Sequence, residues 1–260
     1  MYVQLFFTPA DFRAGVASTY DIFIVIDVLR ATTTLAVMFE RGASRIFVAN
    51  SSEQALAAAQ RYPQRVLCGE RNMQPLPGFA FGNSPVQFSQ ADLSGQELIL
   101  TTSNGTQVFY ACPEKSVCLA GSFYNGRTVV ACALAQAIEQ KRNITLVCSG
   151  KFNYFALDDA VCGGYLIAVL QELFPAYSRG SAGTLQTETL TLDEAAATSL
   201  ALYEMYKPPK IIDSCDAARH LINAGMADDV SFCMQQDKCM SIPMLVGKEE
   251  DTGLCVLQKI

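Results

Sequence analysis

From Ile22 to Ile26 the chain runs through five apolar, mostly β-branched residues, the pattern of a buried strand. Polarity then changes within a few positions: Asp27, Arg30 and the threonines Thr32 to Thr34 follow. From Ala31 onward Leu35, Ala36, Met38 and Phe39 recur at helical spacing, with Gly42 as a stop. The segment therefore predicts a strand ending in a carboxylate and an arginine, and a helix that begins on a threonine cap. In open α/β sheets ligands bind outside such strand ends, where a helix N-terminus also offers free N–H groups. A plainer reading stays open: Asp27 and Thr32 cap the helix, and Arg30 pairs with Asp27.

The same alternation recurs along the chain. Strands are predicted at 2–7, 45–49, 65–68, 97–101, 117–120 and 144–148, with a loop from Thr8-Pro9. Helices are predicted from Ser51 to about Gln60, and at 107–111, 127–141 and 156–174. Between them, 72–90 is an irregular segment rich in proline and glycine, the composition of a lid or binding loop. Residues 178–183 read as a link, followed by helices at 192–206, 216–224 and 227–236 and strand character at 244–246 and 254–257. This C-terminal part reads as structural cover with one wall of a pocket. The fold expected is a three-layer α/β/α arrangement with a mainly parallel or mixed sheet. One domain of 260 residues is expected, with two similar subdomains of about 1–110 and 111–260 as an option.

Composition narrows the classes. A net charge of −6 without a Lys/Arg cluster argues against a nucleic-acid surface. The N-terminus lacks a signal-peptide pattern and no uninterrupted apolar run reaches 18 residues, so a cytoplasmic protein outside the membrane is expected. The ten cysteines show no ligand spacing and read as core thiols. The single histidine, His220, rules out a His-rich zinc site and is read as a structural residue of a helix.

Three turns could cradle an anion: 101–106 with Gly105, Thr32 to Thr34 behind Arg30, and Gly82-Asn83-Ser84. No P-loop pattern occurs. The acids at strand ends are Asp27, Glu70, Asp158 and Asp159, and the bases are Arg30 and Arg71. Carboxylates without clustered histidine or thiolate suit a hard cation such as Mg²⁺, and arginines clamp phosphate or carboxylate. Phosphoryl transfer or hydrolysis fits that inventory.

The motifs IDVLRATTT at 26–34, GERN at 69–72, PGFAFGNSP at 77–85, TTSNGT at 101–106, the Gly121-Ser122 turn with Asn125, and CSGKFNYFALDDAVCGG at 148–164 occur in one order. Together they resemble the 2-phosphosulfolactate phosphatase family, with a looser likeness through GMADDVSFCMQQD at 225–237 and Pro243. The resemblance implies a Mg²⁺-dependent, dimeric phosphatase acting on 2-phosphosulfolactate in coenzyme M biosynthesis, or on a related phosphorylated 2-hydroxy acid. It carries over Asp27, Arg30, Glu70, Arg71, Asn83, Ser84, Asn104, Thr106 and Asp159 as site residues. In that reading Asp27, Glu70 and Asp159 hold Mg²⁺. Arg30 and the Asn104-Gly105-Thr106 turn hold the phosphoryl group, with Thr32 behind them, and Arg71 holds a carboxylate or sulfonate. Two positions depart from the family pattern: Ala80 stands where an aspartate is expected, and the turn 151–154 is bulkier than a glycine-bearing one. The first departure motivates an alternative, a non-catalytic protein that binds a phosphorylated metabolite.

Overall fold

The computed structural model describes residues 1–15, 17, 19–114, 116–177 and 189–260, so the link expected at 178–183 lies outside the described residues. The apolar runs become strands β1 (Tyr2–Phe6), β2 (Ile22–Ile26), β3 (Arg45–Ala49) and β4 (Val66–Arg71). A short β5 (Gln74–Pro75) precedes β6 (Glu97–Thr101), β7 (Val117–Gly121) and β8 (Ile144–Cys148). The series ends with β9 (Thr191–Leu192), β10 (Pro243–Lys248) and β11 (Cys255–Lys259). Helices α1 (Pro9–Ala14), α2 (Ala31–Glu40), α3 (Ser52–Arg61), α4 (Pro85–Ser89) and α5 (Gly105–Ala111) fall in the first half. They are followed by α6 (Gly126–Gln140), α7 (Leu157–Tyr177), α8 (Glu194–Met205), α9 (Asp216–Asn223) and α10 (Ala227–Cys233).

Two predicted loops contain helices instead. Thr8-Pro9 starts α1, because the Thr8 hydroxyl accepts from the Asp11 amide at 3.1 Å and Pro9 takes the first helical turn, where its missing N–H costs nothing. Within 72–90, Ser84 caps α4 in the same way, its hydroxyl accepting from the Gln87 amide at 3.1 Å.

The described strands form one 11-stranded mixed sheet in the order β5-β4-β6-β3-β11-β10-β7-β2-β8-β1-β9. Strands from both sides of residue 110 are interleaved in it. One parallel group is β4-β6-β3 and the other is β7-β2-β8-β1. The antiparallel hairpin β10–β11 joins them, pairing with β7 on one side and β3 on the other. Three antiparallel pairings in succession make the two parallel groups run in opposite senses.

Alternation along the strands distributes the core. Ile22, Ile24 and Ile26 point into a cluster with α6, α7, α9 and α10, while Phe23 and Val25 point into one with α2, α5 and α1. On the other group, Val48 and Leu100 join that second cluster, while Phe47 and Ile99 pack under α3. Both groups thus share α2 and α5, which brings their strand ends together. Helix α7 is long and apolar enough to cross a membrane by length and composition, but 61% of its most apolar window is buried. Its apolarity is used inside the fold, against α8 above all: a Cβ on Gly164 would lie 2.0 Å from the Ser199 carbonyl oxygen. The ten cysteines are free, all buried except the half-buried Cys132, as expected of core thiols.

Candidate active site

The loop after β2 is pinned by its own threonines. The Thr32 hydroxyl donates to the Asp27 carbonyl at 2.9 Å and accepts from the Asp27 amide at 3.1 Å, and the Thr33 hydroxyl donates to the Val28 carbonyl at 3.0 Å. The expected threonine cap is therefore corrected: Arg30 occupies the cap position without a side-chain bond to the helix, and Thr32 is buried within the first turn. The first free N–H of α2, that of Ala31, is taken by Asp27 Oδ1 at 3.1 Å. Asp27 Oδ2 abuts Gly105, where a Cβ would lie 2.5 Å away. Gly105 is required because any side chain would displace this carboxylate.

Two more acids tie neighbouring loops. Asp159, in the first turn of α7, accepts from the Val28 amide (2.9 Å) on one oxygen and the Gly150 amide (3.0 Å) on the other. Glu70 accepts from the Ser103 amide and the Met73 amide, both at 2.8 Å. Asn104 Oδ1 accepts from the Phe152 amide at 3.0 Å, joining the turn after β6 to the turn after β8. The result is a cavity of about 490 Å³, within the usual size range of small-molecule sites.

Of the residues expected at the site, Asp27, Arg30, Glu70, Asn83, Asn104 and Asp159 line this cavity. Arg71, Thr32, Ser84, Gly105 and Thr106 do not. Arg71 donates to the Glu70 carbonyl (3.1 Å) and the Thr101 hydroxyl (3.4 Å). The reason is strand geometry: β4 continues through Arg71, so Glu70 and Arg71 point to opposite faces. The Thr106 hydroxyl turns back to the Thr102 carbonyl at 3.3 Å. Ser84 reaches the site through a partner, donating at 2.5 Å to Asp229 Oδ1.

Asp229 is the residue the sequence reading passed over. It is buried, and its Oδ2 accepts from Arg30 Nη1 at 2.6 Å, so Arg30 pairs here and not with Asp27. The Arg30 guanidinium, itself buried, is thereby aimed at the cavity. A signal was present, since Asp229 falls inside the motif at 225–237. The cavity also takes Lys151, Asp158, Asp216 and His220, so α9 supplies a wall, and His220 lines the pocket where a purely structural residue was expected. Ala80, by contrast, is exposed and off the cavity, so the departure behind the binding-protein alternative does not touch the site.

Burial pushes the Asp27 carboxyl up to about 7, with the Asp158 and Glu70 charges adding to it, while the Ala31 amide and Arg30 oppose. Burial likewise raises Asp158 to about 6 and Asp159 well above the usual carboxylate range. Two buried polar atoms on cavity residues, Asn83 Oδ1 and Thr102 Oγ1, have no hydrogen-bond partner in the protein. Buried groups in that condition call for a ligand or solvent.

An α/β fold with a cavity lined by acids, an arginine and unpartnered polar atoms is the setting of an enzyme acting on a small polar ligand. The chain belongs to the 2-phosphosulpholactate phosphatase family, whose model matches residues 6–248, and with it to the phosphoric monoester hydrolases. A probable 2-phosphosulfolactate phosphatase of Parasynechococcus marenigrum is 33% identical over 247 residues, 94% of this chain and 96% of the relative. One from Thermotoga petrophila is 32% identical over 226 residues, covering 86% and 88%. One from Deinococcus radiodurans is 32% identical over 233 residues, covering 88% and 90%.

Proposed function

We propose that this cavity hydrolyses 2-phosphosulfolactate, or a closely related 2-phospho-hydroxy acid, with Mg²⁺ bound. The observation that carries the reading is the buried, unpartnered Thr102 hydroxyl beside Arg30 and the acid cluster. Among the described residues no three carboxylate, thiolate or imidazole groups converge as a ready-made metal cage. Mg²⁺ does not require one, since it binds through one or two carboxylates, water and substrate phosphate oxygens. Asp27 and Glu70 fit that donor set: both are carboxylates on the cavity, and the Glu70 charge acts on Asp27. When bound there, Mg²⁺ would offset the phosphoryl charge and relieve the burial of the two acids.

The chain's own residues supply the rest. Arg30, held by Asp229, binds phosphoryl oxygens, to which the Thr102 hydroxyl also donates, while Asn83 Oδ1, an acceptor, takes a hydrogen bond from the attacking water. Asp159 fixes the loops that carry Asp27 and Lys151 through its two backbone bonds. Water attacks phosphorus, the P–O bond to the 2-hydroxy acid breaks, and the water's proton ends on the departing alkoxide. Asp27-Val28-Leu29 lacks a second aspartate two positions on, which favours direct attack by water over a phospho-aspartate. The test is phosphate release from a panel of 2-phospho acids, with Mg²⁺ and with EDTA. Mg²⁺-dependent release that disappears in Asp27→Asn is expected, and no release from any panel member would sink the reading.

A further inference from the structure

The cavity holds a second cationic point that the phosphoryl chemistry does not use. Lys151 lies on the turn after β8 and His220 on α9, and Lys151 Nζ stands 3.1 Å from His220 Nδ1. Both residues line the cavity. The turn that presents Lys151 is tightly held. Reciprocal backbone bonds of 2.9 Å join Lys151 and Tyr154, Gly150 is bonded to Asp159, and Phe152 to Asn104. The neighbouring acid Asp216 is paired with Arg219, and the Lys151 ammonium contacts an imidazole nitrogen, not a carboxylate. Asp158 feels the Lys151 charge as a stabilising one, yet is itself buried behind the rim. An ammonium against a ring nitrogen keeps its positive charge and further N–H donors for a ligand. Arg71, the residue expected to hold the substrate's other acid group, does not reach the cavity.

We propose that Lys151 and His220 form the subsite for the distal anionic group of the substrate, and so select phosphorylated 2-hydroxy acids with an acid group at the far end. This rests on the phosphatase reading above, in which Arg30 takes the phosphoryl group. A sulfonate has three acceptor oxygens and a full charge, which suits an ammonium and a ring N–H side by side.

The experiment compares kcat/KM for 2-phosphosulfolactate and for 2-phospholactate, which has the same skeleton without the sulfonate, in wild type and in K151M, K151R and H220N. The ratio of the two is expected to fall at least about tenfold in K151M, chiefly through KM, and severalfold in H220N, as befits lost charge-assisted hydrogen bonds. K151R should restore most of the ratio. An unchanged ratio, or equal losses on both substrates, overturns the subsite, because Lys151 would then serve the phosphoryl group or the fold. Sulfolactate binding by calorimetry, to wild type and K151M, separates the two readings. If wild type hydrolyses neither ester but binds sulfolactate, and K151M binds it at least about tenfold more weakly, the subsite stands and the phosphatase reading falls. If wild type hydrolyses the esters but K151M binds sulfolactate as wild type does, the subsite falls alone.

Discussion

The two parallel groups of strands end in the same cavity, but they bring different chemistry to it. The β2–β8 side contributes buried acids, Asp27, Asp158 and Asp159, whose carboxyls are lifted by lost hydration. The β4–β6 side contributes Glu70, already satisfied by two backbone amides, and the polar turn Thr102 to Asn104. The first side holds charge under tension and the second holds shape. The two arginines show the same contrast. Arg30 follows its strand in a loop and is drawn inward by Asp229, whereas Arg71 lies on its strand and is turned outward by alternation. Similar residues after similar strands therefore have different duties, and what decides is whether the backbone is still extended at that residue.

The largest effect expected is on the tense side: Asp27→Asn should lower kcat/KM by about a thousandfold. It should also raise Tm at pH 8, since the amide keeps the acceptor for Ala31 without a buried charge. The arginine contrast is sharpened by paired Lys substitutions. Arg30→Lys should cost about a hundredfold in kcat/KM, and Arg71→Lys less than about threefold; equal losses would break the distinction. Asp229→Asn should leave Arg30 buried without its counter-charge and cost about 3 kcal/mol in denaturant unfolding.

Acid titration gives the next effect. Folded-state carboxyls at about 7 and about 6 hold protons more tightly than unfolded ones near 4. The metal-free protein should therefore be most stable below about pH 4 as far as these two groups are concerned, and lose that stability as pH rises through about 7. Added Mg²⁺ should raise Tm more at pH 8 than at pH 5, and an equal shift at both would count against Asp27 as a ligand. The smallest effect concerns the turn after β8. Phe152 is 61% exposed and adopts φ 52°, a left-handed conformation that strains a side chain of its size. Phe152→Gly should raise stability by about 1 kcal/mol in thermal unfolding, while removing part of the cavity wall.

Much of this was legible in the sequence because period-two and period-3.6 patterns report burial directly. The strands β2, β6, β7 and β8, and the residues after them, fall where the apolar runs stop. Asp27, Glu70 and Asn104 are reachable because each stands next to such a stop, and Asp159 because it stands in the first turn of a helix, where carboxylates suit the dipole. The apolar run of β4 stops at 68, but the strand continues through three more residues, which reverses the face that Arg71 meets. Asp229, in spite of its motif, and His220 are hard to place for a different cause. They sit on α10 and α9, helices with ordinary amphipathic patterns, and only the tertiary path of the chain carries those helices over the strand ends. The hairpin β10–β11 was read as strands, but nothing local announces that it lies in the middle of the sheet.

That hairpin has a bearing on how the chain is made. Asp27, Glu70 and Asp159 leave the ribosome before it, but among the described residues the two strand groups that carry them are joined within the sheet by residues 243–259. A nascent chain halted before the hairpin would present β3 and β7 as open sheet edges, sites for pairing with other chains. Assembly of the cavity therefore waits on this hairpin, and a molecule cut just before residue 243 should be an aggregation-prone precursor, not a slower enzyme.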